Sequence, residues 1–215
     1  MHTRGRGFTL AELVLALAIT TVIGLAVTGV AAAVSNFNER AEAYYEYLQS
    51  GRVAAIRLQE MMRSALLITA ASGDKMVVWT NNETDPNNIN VTEVTKVFRD
   101  ASTRQLMQRT TFFPDSMSAS TKTALDTSLA LSTLTSASVA TSEPIYAQYD
   151  VTRVLARNVQ SFDVYPNVPA PLTRLLKFKL VVGADGQTVT QYGAVMLRAP
   201  STAKVFVSDG TYVLN

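Results

Sequence analysis

There is no cysteine anywhere in this 215-residue chain, which excludes a disulfide framework, a zinc–thiolate site and a cysteine nucleophile. Histidine occurs once, as His2, so the commonest general base and the commonest metal ligand are missing from all that follows. No acid–base spacing fills the gap, because Asp150, Asp163 and Asp185 each read as a strand-end or turn residue. These absences point away from an enzyme, and no catalytic residue, metal or cofactor is assigned. Net charge is also scarce, with 19 Lys and Arg against 17 Asp and Glu. Setting aside Arg4 and Arg6 leaves 17 basic residues against 17 acidic ones, which argues against a nucleic-acid partner.

Apolar residues are what the chain has in quantity, at 47%, which excludes a disordered protein. They are concentrated at the start. A short basic leader, MHTRGRG, ends at Gly7, and an almost wholly apolar run then opens at Phe8 and closes at Val34. At about 27 residues this run is long enough to cross a bilayer as a helix. Arg4 and Arg6 ahead of it would keep that end cytoplasmic and send the C-terminal body outward.

One charge interrupts the run, Glu12. An acid near the centre of a membrane helix costs on the order of 2.5–3.5 kcal/mol and normally has a partner. Three readings compete. A secretory signal peptide would be cut at Ala31-Ala32-Ala33, but its apolar core spans only about 7–15 residues. A plain signal anchor leaves Glu12 as an accident near the membrane edge.

The third reading comes from the pattern itself. Gly7, then Phe8-Thr9-Leu10, then Glu12 at the fifth position of a long apolar run resembles the processing site of type IV prepilins and type II secretion pseudopilins. The resemblance implies cleavage after Gly7 by a prepilin peptidase and methylation of Phe8 as the new N-terminus. It also implies that Glu12 meets the terminal amine of a neighbouring subunit during assembly. The implied fold is α+β and pilin-like: a long N-terminal helix, half transmembrane and half amphipathic, packed on an antiparallel β-sheet domain. The implied partners are the peptidase, other pilin or pseudopilin subunits, assembly-platform proteins and the bacterial inner membrane. The implied place is a single-pass membrane state, with the C-terminal domain periplasmic or extracellular, and then a pilus or pseudopilus. A different class of function stays open, an anchored or secreted envelope domain that binds a ligand and uses its N-terminus only for export.

The chain then divides as follows: leader 1–7, transmembrane or fibre-core helix 8–34, amphipathic continuation 35–70 and exported β-rich domain 71–215. From residue 35 to 67 there is no proline, and Phe37, Ala41, Tyr44, Leu48, Ala55, Leu58, Met62 and Ala65 recur at 3–4 spacing. That predicts one apolar stripe packed on the chain's own domain, with Arg52, Arg57 and Arg63 on a solvated face. Beyond the Ala71-Ser72-Gly73-Asp74 turn, strands are expected over 75–80, 91–99 and 106–113. The Asx-rich loop between the first two lacks EF-hand spacing and reads as a turn. Its two Asn-x-Thr triplets, at Asn82 and Asn90, are taken as chance.

Residues 114–144, rich in Ser, Thr and Ala, read as a flexible insertion over the domain surface. The alternative is a short helix carrying Leu125, Leu129 and Leu131. Strands are expected again over 146–155, 158–165, 172–182 and 189–197, the last two as a hairpin, with a short edge strand in 205–214. The strand ending in Tyr165, the proline-containing loop and the returning Tyr192-Gly193-Ala194 strand look like the C-terminal half of J-type minor pseudopilins and W-type minor pilins. That likeness and the absence of paired cysteines imply a minor subunit.

Overall fold

A computed structural model of the chain describes residues 9–80, 88–135, 148–184, 186–197, 205–208 and 211–214. It is an α+β protein with a long N-terminal apolar helix and antiparallel sheets. Two compact units divide between Tyr45 and Glu46.

Helix α1 runs Leu10–Ser64 without interruption. Its unbroken course has a simple chemical basis, since the stretch holds no proline and Ala and Leu, both strong helix formers, are its commonest residues. In the first unit its side chains are exposed almost throughout, Leu10, Leu17 and Leu25 included. In the second unit one face turns inward, with Gly51, Ala54, Ala55, Leu58 and Met62 buried. Arg52, Arg57 and Arg63 are solvated, as the periodicity predicts.

The expected stripe is therefore real only in its second half. Ala55, Leu58, Met62 and Ala65 are buried, whereas Phe37 is 72% exposed and Tyr44 43%. Periodicity marks a face able to pack, but it does not supply the partner. The helix also stops at Ser64, short of the expected continuation to residue 70. Its last turn closes with Ala65 N–H on the Met62 carbonyl, and the next amide, Leu66 N–H, bonds the Trp79 carbonyl instead. From there Leu67–Ser72 forms strand β1, turns at Gly73 and pairs back with β2 (Lys75–Trp79). The leucines and alanines of 65–71 suit a helix, so only the ladder with β2 reveals the strand.

Strand β3 is a short Ile89–Asn90 segment, followed by a 3₁₀ turn at Val91–Glu93. Next come β4 (Val94–Asp100) and β5 (Gln105–Thr111). The expected strand over 91–99 thus loses its first turn to the 3₁₀ segment. Helix α2 (Ala119–Leu125), strand β6 (Ser128–Leu129) and helix α3 (Leu131–Thr135) occupy the described part of the 114–144 stretch. Strands β7 (Asp150–Ala156), β8 (Val159–Pro166), β9 (Leu175–Ala184) and β10 (Gln187–Met196) follow. Asp163 lies inside β8, so it is not the strand-end residue expected, and Asp185 lies outside the described residues. A last hairpin joins β11 (Val205–Ser208) to β12 (Thr211–Leu214), where one short edge strand was expected.

The main sheet has order β1-β2-β4-β5-β7, and a second sheet has order β10-β9-β8. Between them and the C-terminal part of α1 lies the larger core, where Leu58, Met62, Phe162, Phe178 and Leu180 are buried. Burying a side chain such as Leu58 contributes about 1.5–3 kcal/mol. Gly193 on β10 lets this packing close, because a Cβ there would overlap the Phe178 ring. Gly183 takes a left-handed φ of 153° where β9 nears the turn into β10, and a Cβ there would strike the Gln187 backbone.

The smaller core sits on the opposite face of the main sheet. There Leu131 and Leu134 of α3 pack with Leu67, Val77, Trp79, Val94 and Val205. Helix α3 of the insertion is thus a cover on hydrophobic surface, whereas α2 buries no side chain. Scattered leucines in a Ser/Thr-rich segment carry too weak a period to announce this.

Candidate functional site

Of the residues singled out for processing and assembly, Gly7 and Phe8 lie outside the described residues. Glu12 is described, in the first turn of α1. Thr9 precedes that turn, and its carbonyl accepts the first helical bond from Leu13 N–H at 3.2 Å. The Thr9 hydroxyl accepts Glu12 N–H at 3.3 Å. In return, Glu12 Oε2 accepts Thr9 N–H at 2.9 Å and the Thr9 hydroxyl at 3.0 Å. This is a reciprocal capping box, which satisfies two of the amides that a helix start leaves without partners. It also sets the carboxylate at the positive end of the helix macrodipole. The signal was present as Thr-x-x-Glu in the sequence, and the expectation built on Glu12 overlooked it.

No cation reaches Glu12 among the described residues. Downstream, the polar groups of the run are silenced internally. The hydroxyls of Thr20, Thr21 and Thr28 donate to the carbonyls of Ala16, Leu17 and Gly24, each at 2.8 Å. Backbone and side-chain donors are thereby satisfied without water, as a hydrocarbon environment demands. The helix is long and apolar enough to cross a membrane.

Three polar positions stand out in the second unit. Glu93 is buried at 4% exposure. Its Oε2 accepts Trp79 Nε1–H at 3.0 Å and Asn90 N–H at 3.1 Å, while Oε1 is buried without a partner. Asp100, in the turn after β4, accepts from Ser102 N–H, the Ser102 hydroxyl and the Thr103 hydroxyl at 2.7–2.9 Å. The Ser102 hydroxyl first, then Thr103, hold its carboxyl at about 2, well below the ordinary range. Arg109 on β5 donates from Nε to the Thr152 hydroxyl at 3.2 Å and lies over the Phe98 ring, 5.1 Å from its centroid. Its Nη1 is buried without an acceptor.

No group of three or more His, Asp or Glu side chains able to hold a metal occurs among the described residues. Comparison with protein-family models, with curated proteins and with solved structures found no match to the chain.

Proposed function

We propose that the chain is a structural subunit of a type IV pilus or type II secretion pseudopilus, a minor one, and not an enzyme. The basic leader would be cut after Gly7, Phe8 methylated, and α1 withdrawn from the inner membrane into a bundle of like helices. One observation carries this reading: a glycine-ended basic leader placed five residues ahead of the single acid in the otherwise apolar run from Phe8 to Val34. The capping box adds to it. Thr9 and Glu12 start the helix at the second residue of the processed chain, so cleavage after Gly7 would leave a complete helix start. In a dry bundle, pairing of Glu12 with a neighbour's amine would restrict the axial offset, and register is the best-attested use of a buried polar group.

The same capping box favours a second reading. Glu12 already has a local purpose, so a plain membrane anchor carrying an exported ligand-binding domain would also contain it. Intact mass of the protein from its native membrane separates the two. A mature start at methylated Phe8 supports the fibre subunit, and an intact Met1 refutes it. Glu12→Val should still insert into the membrane but enter the fibre poorly. Glu12→Gln, which keeps an acceptor for Thr9, should restore helix capping without restoring incorporation. Full incorporation of either variant would remove the assembly role.

A further inference from the structure

Among the described residues, Arg109 is a cation whose surroundings are built for a further acceptor. It sits mid-strand on β5, opposite Thr152 of β7 in register, and its guanidinium is fixed on two sides. Thr152 takes the Nε proton, and the Phe98 ring supports the planar face. Fixing a guanidinium in this way uses only part of its fork of five donors. A buried donor with no acceptor costs about 1–3 kcal/mol, more for a charged group. The Nη1 position is in that condition.

The group borders a cavity of about 510 Å³, lined also by Phe98, Met107 and Thr152. Asp100 lines the same cavity, but its two oxygens are taken by Ser102 and Thr103. Asp150, at the start of β7, accepts the Thr111 hydroxyl at 2.7 Å. Among the described residues the nearby charge is otherwise positive: Arg99 lines the same cavity, Arg104 and Arg157 are exposed in the turns that precede β5 and follow β7, and Arg153 is exposed on the other face of β7. Strand β7 is the last strand of its sheet, so its outer backbone edge is unpaired among the described residues, and Val151 and Val154 are exposed along it. An open edge beside unmatched positive charge suits an extended segment that carries acids.

We infer that an acidic, extended segment of a partner protein adds to the edge of β7 and seats a carboxylate against Arg109. Edge pairing would supply backbone hydrogen bonds, and the carboxylate would take the two-toothed contact that a guanidinium fork favours. This inference does not rest on the fibre reading.

The test uses the full chain in detergent micelles and a fluorescein-labelled peptide of alternating Glu and Val, with its Gln/Val counterpart as control. Fluorescence anisotropy should show the Glu peptide binding at least about tenfold more tightly than the Gln peptide. Arg109→Met keeps the aliphatic stem over Phe98 and should abolish that preference, so that both peptides bind alike. Equal binding of the two peptides to the unaltered protein, or an undiminished preference in Arg109→Met, would overturn the inference. Should Arg109→Met fail to fold by Trp79 fluorescence, Arg109→Lys is read instead: it keeps the charge but not the fork, and should lose at least threefold. Citrate matching the peptide's affinity would reduce the site to an anion pocket and remove the edge-pairing half.

Discussion

Gly193→Ala tests the fit between the second sheet and α1. An added Cβ would overlap Cε1 and Cζ of Phe178, the ring facing it across the β9–β10 pair, and would lie 3.1 Å from Gln59 Nε2 on α1. The Gln59 amide is the end of a flexible side chain and can move. The Phe178 ring cannot do so cheaply, because it is 2% exposed within the main core. Overpacking of this kind costs about 1–3 kcal/mol, and the lost freedom of glycine in the unfolded chain returns about 0.4–1 kcal/mol. The expected net cost is about 1–2 kcal/mol. Phe178→Leu alone should cost about 1–2 kcal/mol, below the roughly 3–5 kcal/mol of a Phe→Ala truncation. Combined, the two changes relieve each other, because the smaller side chain leaves room for the new methyl. The double variant should therefore be more stable than the sum of the singles by about 1 kcal/mol. Urea unfolding in micelles, followed by the fluorescence of Trp79, measures all four corners of the cycle. Additive or worse-than-additive costs would show that the Gly193–Phe178 contact does not limit packing.

Leu134 is fully buried against β1 and β12, so Leu134→Ala should cost about 2–5 kcal/mol in the same unfolding assay, against under about 0.5 kcal/mol for a surface loop. Glu93→Leu should be worse than Glu93→Gln, because Leu strands Trp79 Nε1–H and Asn90 N–H at about 1–3 kcal/mol each. A Trp79 emission shift in the Leu variant but not in the Gln variant would accompany it. The depressed folded pKa of Asp100 means its stabilising effect is complete above the ordinary value near 3.8 and is lost as pH falls toward 2. Asp100→Asn should flatten that part of the pH–stability curve. An unchanged slope between pH 4 and 2 would contradict the Ser102 and Thr103 contacts.

How much of this was legible from residues alone depends on the range of the interaction involved. The long apolar helix, the charge at Glu12 and the β9–β10 hairpin were readable, since each rests on composition, near-neighbour period or a short turn. The capping box was readable too, as Thr9-x-x-Glu12, because its partners are three residues apart. The hairpin of β1 with β2 was not: residues 65–71 satisfy a helical pattern, and the strand exists because Leu66 and its neighbours find β2. Nor was the burial of Leu131 and Leu134, which have no period of their own and are held by Trp79, Val94 and Val205 from distant parts of the chain.

The sequence by itself determined that a membrane-length apolar helix lies in the N-terminal part, that cysteine is absent and histidine confined to His2, and that the C-terminal half is rich in strands. Those features are local, and elementary propensities and transfer energies decide them. Only the tertiary structure decided where α1 gives way to β1, which half of its stripe is buried, and that Arg109 is held between Phe98 and Thr152 with a donor to spare. The physical reason is that burial, ladder pairing and an orphaned donor depend on which partners a residue meets in three dimensions, as Arg109 meets Thr152 across 43 residues, and residue type and period do not encode those partners.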